Sequence, residues 1–129
     1  MQNKRKIGKL ITFEGIDGCG KSTQISKLKT FFKNSSDNVI FTREPGGIPE
    51  AEEIRKHFLK NSKIDFLKET EILLLLSARN EHYNKLIKPA LDRGKIVICD
   101  RFADSTLAYQ CHSDKNLELF YKKIHKTKN

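Results

Sequence analysis

The residues with the clearest chemical meaning form a glycine-rich run near the N-terminus, Gly15-Ile-Asp-Gly-Cys-Gly-Lys-Ser22, which matches the Walker A pattern GxxxxGK[ST]. Glycines in this pattern let successive backbone N–H groups point at phosphate oxygens, and the helix that follows adds its positive end. Lys21 would neutralise the β- and γ-phosphates, and Ser22 would help to hold Mg²⁺. A structural glycine turn is the alternative, but this run follows an apolar segment and opens a helical one. The predicted phosphate-binding residues are Gly15, Ile16, Asp17, Gly18, Cys19, Gly20, Lys21, Ser22 and Thr23.

A second candidate is Asp100, which ends the apolar run Ile96-Val-Ile-Cys-Asp100. A strand that ends in a carboxylate is typical of the Walker B position, which faces the metal beside the phosphate loop. Many buried strands end in aspartate, so the run is informative only together with the Walker A pattern. The pair predicts a Mg²⁺ site at Ser22 and Asp100. A GTPase is disfavoured, because Asn84-Lys-Leu-Ile87 lacks the aspartate of the NKxD guanine motif.

Arg101 follows directly on this carboxylate. A guanidinium at that position can bridge the phosphates of a donor and an acceptor, as phosphoryl transfer between two anions requires. A salt bridge to a helix carboxylate is the alternative. The segment Arg43-Glu-Pro-Gly-Gly47 follows the second predicted strand, at the carboxyl edge where open α/β sheets bind ligands.

Alternating strands and helices must position these segments. Short apolar runs predict strands at residues 9–14, 39–42 and 95–100, and helical spacing of apolar residues predicts helices at 21–33, from 49 onward, at 66–92 and after 110. Pro89 should kink or divide the third helix, because it cannot donate to the carbonyl of Lys85. The alternation predicts an α/β fold with a parallel sheet and right-handed crossovers.

Composition limits the class of protein. The 129 residues, 37% of them hydrophobic, suffice for one domain, and the net charge of +9 suits an anionic partner. The excess lysines are scattered, so a solvated surface explains them and nucleic acid is not required. No apolar run approaches the ~20 residues that span a bilayer. Three cysteines without CxxC spacing argue against a disulfide framework and a zinc site, and reduced thiols are typical of the cytoplasm. Together these features predict a soluble cytoplasmic protein that binds neither nucleic acid nor membrane.

The order of the motifs resembles the thymidylate kinase family. The succession FEGIDGCGKST, TREPGG, a helix with Ala78-Arg79, and DRFADSTLAYQ covers about residues 9–110. The resemblance implies a P-loop nucleotide kinase, a three-layer α/β fold whose strands present here have the order 2-3-1. It implies transfer of a phosphoryl group from ATP to dTMP, giving dTDP with Mg²⁺ as cofactor, and a homodimer joined through helices.

The resemblance also implies roles for individual residues. Asp17 resembles a carboxylate that approaches the acceptor 3′-hydroxyl and the metal, and with Lys21 and Arg101 it completes the implied catalytic set. Arg55 matches an arginine that grips the dTMP phosphate opposite Arg101. Arg79 matches one that hydrogen-bonds thymine, although an ordinary exposed helix position is the alternative.

The wall of the implied base pocket comes from residues one helical turn apart. Thr106, Tyr109 and Gln110 match residues that read the base and exclude a ribose 2′-hydroxyl, although Tyr109 could instead be core packing. Leu75 stands where the family usually has a phenylalanine that stacks on thymine, a loss on the order of 1 kcal/mol. The implied substrate-binding residues are Glu44, Arg55, Leu75, Arg79, Arg101, Thr106, Tyr109 and Gln110.

The resemblance covers only the N-terminal part of the sequence that family members have. Its members continue with two more strands, an arginine-bearing LID and a closing helix, so we expect a C-terminally truncated chain with a basic tail at 1–8, a partial kinase core at 9–110 and a helical, frayed tail at 111–129. Gly18 occupies the place where some members carry a catalytic arginine, which implies reliance on the LID. Loss of such an arginine costs roughly 10³ to 10⁵ in rate. The alternatives are a non-catalytic nucleotide-binding remnant and another P-loop nucleoside or nucleotide kinase.

We therefore expect marginal stability. Without strands on its other side, the apolar run at residues 10–13 would form an open edge that favours association. Solubility and the cooperativity of thermal melting measure this property. A sharp unfolding transition of a monomer would contradict it.

Overall fold

The computed structural model describes residues 7–35, 38–59 and 62–126, in which three parallel strands form one sheet. The strands are β1 (Lys9–Phe13), β2 (Val39–Arg43) and β3 (Ile96–Asp100), in the order β1-β3-β2. Ile96 of β3 pairs with Lys9 on one side and with Val39 on the other. This arrangement confirms the predicted parallel sheet with its strand order 2-3-1. Because β3 is central and apolar, it is the most deeply buried strand.

Helices connect the strands and cover the sheet. They are α1 (Lys21–Phe31), α2 (Pro49–Arg55), α3 (Lys68–His82), α4 (Lys88–Asp92), α5 (Ala103–Gln110) and α6 (Lys115–Lys126). Pro49 occupies the first turn of α2, where its missing N–H costs no hydrogen bond, and Glu50 and Glu52 lie at the positive end of the helix. None of the helices in the described ranges is long and apolar enough to cross a bilayer.

The predicted helix at 66–92 is divided in the structure. A π-helical turn at Tyr83–Ile87 separates α3 from α4, and Pro89 lies in the first turn of α4. Proline cannot donate to the carbonyl four residues earlier, so the regular ladder is interrupted next to it. The predicted division is therefore confirmed, one turn before the proline itself.

Two apolar clusters hold the elements together. One joins α3 to the C-terminal helix through Ile72, Leu76, Leu117 and Tyr121, and the other joins Ile87, Ala90 and Val97 beneath the sheet. Helix α6 thus packs into the core against α3. The division of the chain at residues 8 and 110 stays a prediction, and parts of the predicted tails and turns, at 1–6, 36–37, 60–61 and 127–129, lie outside the described residues.

The first cluster can be tested by truncating one buried and one exposed side chain. Ile72 of α3 is fully buried whereas Leu119 of α6 is 58% exposed. We expect Ile72→Ala to lower the free energy of unfolding by about 2–5 kcal/mol, because it removes buried methyl groups and leaves a cavity. The control Leu119→Ala should change it by less than about 0.5 kcal/mol. Equal losses in urea unfolding would contradict this packing.

Candidate active site

The predicted site segments converge at one edge of the sheet. The run at residues 15–23 follows β1, the segment at 43–47 follows β2, and Arg101 follows β3. Because the three strands are parallel, their carboxyl ends lie side by side, and the loops that leave them face a common crevice. The topology therefore brings together segments that lie far apart in the sequence.

The phosphate-binding loop has the backbone that its glycines were expected to allow. Gly18 and Gly20 have φ angles of +80° and +94°, and α1 begins at Lys21 immediately after them. Six of the predicted phosphate-binding residues form the exposed loop and three open the helix: Gly15, Ile16, Asp17, Gly18, Cys19 and Gly20, then Lys21, Ser22 and Thr23. The helix N-terminus and Lys21 thus stand at the same end of α1, where an anion is favoured.

Arg101 ties this loop to the end of β3. Its Nη1 donates to the carbonyl of Gly15 at 2.9 Å, and its Nη2 contacts Asp17 Oδ1 at 2.5 Å. Its guanidinium carbon lies 5.0 Å from the centre of the Tyr109 ring. Partial burial opposes the charge, but the contacts with Tyr109 and Asp17 hold the pKa of Arg101 above its ordinary value. The acidic partner of Arg101 is thus Asp17 of the phosphate-binding loop. The alternative interpretation of the sequence was a salt bridge to a carboxylate on a helix.

The backbone of Arg101 is itself unusual. Its φ of +67° lies in the left-handed region, which costs a non-glycine residue of order 1–3 kcal/mol. The thiol of Cys99 donates to the Arg101 carbonyl at 3.1 Å. Burial raises the pKa of this thiol, and the carboxylates of Glu44 and Asp100 act in the same direction. Cys99 therefore keeps its proton and remains a donor to the strained residue.

A cavity of about 330 Å³ opens beside this contact. Every predicted substrate-binding residue lines it, together with Asp17: Glu44, Arg55, Leu75, Arg79, Arg101, Thr106, Tyr109 and Gln110. Sequence reasoning missed five further lining residues, namely Pro45, Phe58, Leu59, Phe102 and Ser105. A cavity of this size, apolar with a few convergent polar groups, is typical of a small-molecule site.

Arg79 is a buried polar group of the cavity with partners on every side-chain nitrogen. Only 9% of it is exposed, and its Nε donates to Glu44 Oε2 at 2.6 Å. Its Nη2 donates to Thr106 Oγ1 at 2.8 Å, its Nη1 contacts the Tyr121 hydroxyl at 3.3 Å, and its guanidinium carbon lies 4.9 Å from the Phe102 ring centre. The structure thus contradicts the alternative in which Arg79 is an ordinary exposed helix residue.

Besides Leu75, the apolar wall of the cavity contains an aromatic ring that the sequence analysis did not predict. Leu75 is buried in the wall, and Phe102 adds an aromatic ring that stacks against Arg79. Tyr109 also lines the cavity and is 50% exposed, so it does not serve as core packing. Phe102 could have been suspected from its place directly after Arg101, whereas Phe58 and Leu59 carried no signal beyond their helical spacing.

Glu14 and Ser105 form a polar link that the sequence did not indicate. The Ser105 hydroxyl donates to Glu14 Oε2 at 2.5 Å, and Arg101 Nη1 lies 3.4 Å from the same hydroxyl. Glu14 precedes the phosphate-binding loop and Ser105 lies in the first turn of α5. The link therefore fixes α5, which carries Thr106 and Tyr109, against the start of the loop.

The predicted metal ligands share a second cavity. Ser22 and Asp100 both line a cavity of about 440 Å³ on the side of α1 and β2. The buried Asp100 Oδ1 has no hydrogen-bond partner among the described residues, so it is a spare acceptor on a residue that lines the same cavity as Ser22. Within the described ranges no group of three metal-binding side chains occurs. Two oxygen ligands with the rest from phosphates and water suit Mg²⁺, which keeps several waters.

The segment after β2 packs closely against Thr42 and the buried side chain of His82. Gly47 has a φ of +86°, and a Cβ there would lie 2.3 Å from Thr42 Oγ1 and 2.6 Å from His82 Nε2. Gly47 N donates to Glu52 Oε1 at 2.9 Å, and Arg55 Nη1 donates to the carbonyl of Pro45 at 3.0 Å. These contacts hold the segment between α2 and α3.

Comparisons with known proteins show which family the chain resembles. A family model described as thymidylate kinase matches residues 13–128. The thymidylate kinase of Ruegeria pomeroyi is 48% identical over 118 residues, 92% of this chain and 56% of that protein, and that of Wolbachia pipientis is 58% identical over 102 residues, 78% and 50% respectively. The crystal structure of thymidylate kinase from Ehrlichia chaffeensis matches with a TM-score of 0.79 at 41% identity, over 93% of this chain and 67% of that chain. The chain spans about half the length of the curated relatives it matches.

Substitution of two glycines distinguishes the cost of backbone strain from the cost of a close contact, because Gly18 and Gly47 have similar φ angles of +80° and +86°. Gly18 has open space around its missing Cβ, whereas a Cβ on Gly47 would overlap Thr42 and His82. We expect Gly18→Ala to lower the free energy of unfolding by about 1–2 kcal/mol from the left-handed backbone alone. Gly47→Ala should cost a further 1–3 kcal/mol or so, because neighbouring side chains must move. Equal losses in urea unfolding would contradict the close contact.

Proposed function

Because the chain belongs to the thymidylate kinase family, we propose that it binds ATP and dTMP and transfers the γ-phosphoryl group of ATP to dTMP, giving dTDP. The observation that carries this proposal is the cavity of about 330 Å³, which all the predicted acceptor-binding residues line and which meets the phosphate-binding loop at the Arg101–Asp17 contact. A donor site and an acceptor site that share one arginine suit transfer between two phosphates.

The donor side has the groups that nucleotide phosphates require. The loop N–H groups, the N-terminus of α1 and Lys21 would hold the β- and γ-phosphates. Ser22 and the unpartnered Asp100 Oδ1 would hold Mg²⁺, which when bound supplies positive charge against the phosphate oxygens. The residues present therefore fit the cofactor that the family resemblance implies.

On the acceptor side, two arginines would hold the phosphate of dTMP. Arg55 and Arg101 both line the cavity, and Arg101 already contacts the loop that would hold the donor. When a phosphate takes the place of Asp17 as the partner of Arg101, the acceptor oxygen is brought toward the donor phosphate. Direct in-line transfer then depends on positioning and charge, and no covalent enzyme intermediate is needed.

Recognition of the base would depend on Arg79. An arginine carries five N–H groups, and three of them are engaged with Glu44, Thr106 and Tyr121. Two remain for a carbonyl oxygen of the thymine ring. Leu75 and Phe102 supply the apolar wall, and Tyr109 and Gln110 complete the side that would face the sugar and base.

We also propose that the protein acts as a homodimer joined through helices, as the family resemblance implies. Helix α3 presents Leu73 outward, and Leu67 directly before the helix is exposed as well. Exposed leucines of this kind suit an apolar contact between two helices. Sedimentation of the purified protein measures this association.

Release of ADP in the presence of ATP, Mg²⁺ and dTMP tests the proposed reaction. We expect Lys21→Met to lower kcat/KM by roughly 10²-fold or more, since it removes a charge that stabilises the transferring phosphoryl group. Lys27→Met is the matched control, because Lys27 lies exposed on the same helix and lines neither cavity. It should leave kcat/KM unchanged.

Three outcomes would contradict the proposal in different ways. Binding of both nucleotides without turnover would favour the non-catalytic nucleotide-binding alternative. Turnover with other nucleoside monophosphates in preference to dTMP would indicate another nucleotide kinase. Equal loss of activity in Lys21→Met and Lys27→Met would remove Lys21 from its assigned role.

A further inference from the structure

We propose that His82 is a positioning residue for the acceptor site, because its Nδ1–H fixes the carboxylate of Glu44 and thereby sets the orientation of Arg79. The proposal rests on the proposed function only in its consequence, which is affinity for a pyrimidine nucleotide. His82 does not line the cavity, so it acts through the residues that do.

His82 is fully buried at the end of α3, one helical turn after Arg79. Its two ring nitrogens both have partners, Nδ1 with Glu44 Oε1 at 3.2 Å and Nε2 with Thr42 Oγ1 at 2.7 Å. A buried imidazole between a strand side chain and a loop carboxylate is therefore held at both ends. The ring cannot turn without the loss of both contacts.

The chemistry of the partners decides which nitrogen carries the proton. The ionised carboxylate of Glu44 can only accept hydrogen bonds, and its charge is already matched by Arg79. Nδ1 must therefore be protonated to interact favourably with Glu44 Oε1. The hydroxyl of Thr42 can donate as well as accept, so it suits Nε2 whether or not that nitrogen is protonated.

The carboxylate of Glu44 is used on both oxygens. Oε2 accepts from Arg79 and Oε1 faces His82, while only 5% of Glu44 is exposed to water. A buried carboxylate that loses one of two donors must be re-solvated or rotate toward another donor. Either movement turns the oxygen that holds Arg79 Nε.

The same short segment also holds the second substrate-facing arginine. Glu44 holds Arg79 through its side chain, and the next residue, Pro45, accepts from Arg55 through its carbonyl at 3.0 Å. Gly47 packs so closely on His82 that a Cβ there would lie 2.6 Å from Nε2. His82 therefore lies beneath a segment that positions both Arg79 and Arg55. The hydrogen-bond partners of its ring in the described part of the chain are Thr42 and Glu44, and neither belongs to the phosphate-binding loop.

The first test requires no substitution. Long-range ¹H–¹⁵N correlation in the ligand-free chain reports which imidazole nitrogens are protonated. We expect His82 Nδ1 to carry a proton. An unprotonated Nδ1 would overturn the proposal, because such a nitrogen could not donate to Glu44.

Two amide variants separate positioning from mere stability. In His82→Asn the amide nitrogen can take the place of Nδ1 and donate to Glu44, whereas in His82→Gln the amide lies near the place of Nε2 and faces Thr42. Both lose the ring and should lower the melting temperature alike. We expect the Kd for dTMP to stay within a few-fold of the wild type in His82→Asn and to rise roughly 10-fold or more in His82→Gln, from the lost bond to a charged group. The Kd for Mg-ATP should be unchanged in both.

The outcomes distinguish this inference from the proposed function. If the wild type binds no dTMP, the proposed function fails and the protonation of Nδ1 alone decides the inference. If the wild type binds dTMP but the two variants bind it equally, or if both nucleotides weaken in proportion to stability, His82 has only a structural role. If His82→Gln does not fold, His82→Asn decides the inference: a Kd for dTMP within a few-fold of the wild type supports it, and a rise of roughly 10-fold or more overturns it.

Discussion

The buried ion pair between Arg79 and Glu44 is the interaction on which the site depends. Removing two charges from water is expensive, and their attraction repays the cost only when the remaining donors and acceptors are satisfied. Here Thr106 and Tyr121 satisfy the guanidinium and His82 satisfies the carboxylate. Each partner comes from a different element, so the requirement of one ion pair fixes how α3, α5, α6 and the segment after β2 approach one another.

A second constraint operates at the other end of the cavity. Arg101 has a strained backbone, and its contacts with the carbonyl of Gly15 and with Asp17 draw the phosphate-binding loop toward β3. Ser105 and Glu14 support the same junction from α5. The phosphate-binding loop and the cavity of about 330 Å³ therefore meet at a single arginine, and α5 is attached to both. Strain at this point is maintained by the packing around it, as is usual at functional sites.

Much of the fold could be predicted because its signals are local. Short apolar runs that end at Gly15 or Asp100 indicate parallel strands. Pro89 predicts the break in the long helix, because proline lacks the N–H that a helix interior requires. Nine of the fourteen residues that line the cavity were also predicted, from spaced motifs and the family resemblance that they carry, because parallel strands deliver their carboxyl ends to one edge. What could not be predicted is pairing between distant polar groups. Nothing in the spacing of His82, Thr42 and Tyr121 shows that they share one network, since that depends on how the helices pack, and the stacking of Phe102 on Arg79 depends on the same packing.

The hydroxyl of Tyr121 has a consequence for the last helix. It contacts Arg79 and donates to the carbonyl of Ala103, so the docking of α6 and the conformation of Arg79 share one hydrogen-bonded group. Any ligand that favours the observed conformation of Arg79 also favours the docked state of α6, and by thermodynamic linkage docking strengthens ligand binding by the same factor. Ligand binding in the cavity should therefore slow the exchange of the α6 amides with solvent, because both depend on the same equilibrium between docked and undocked α6.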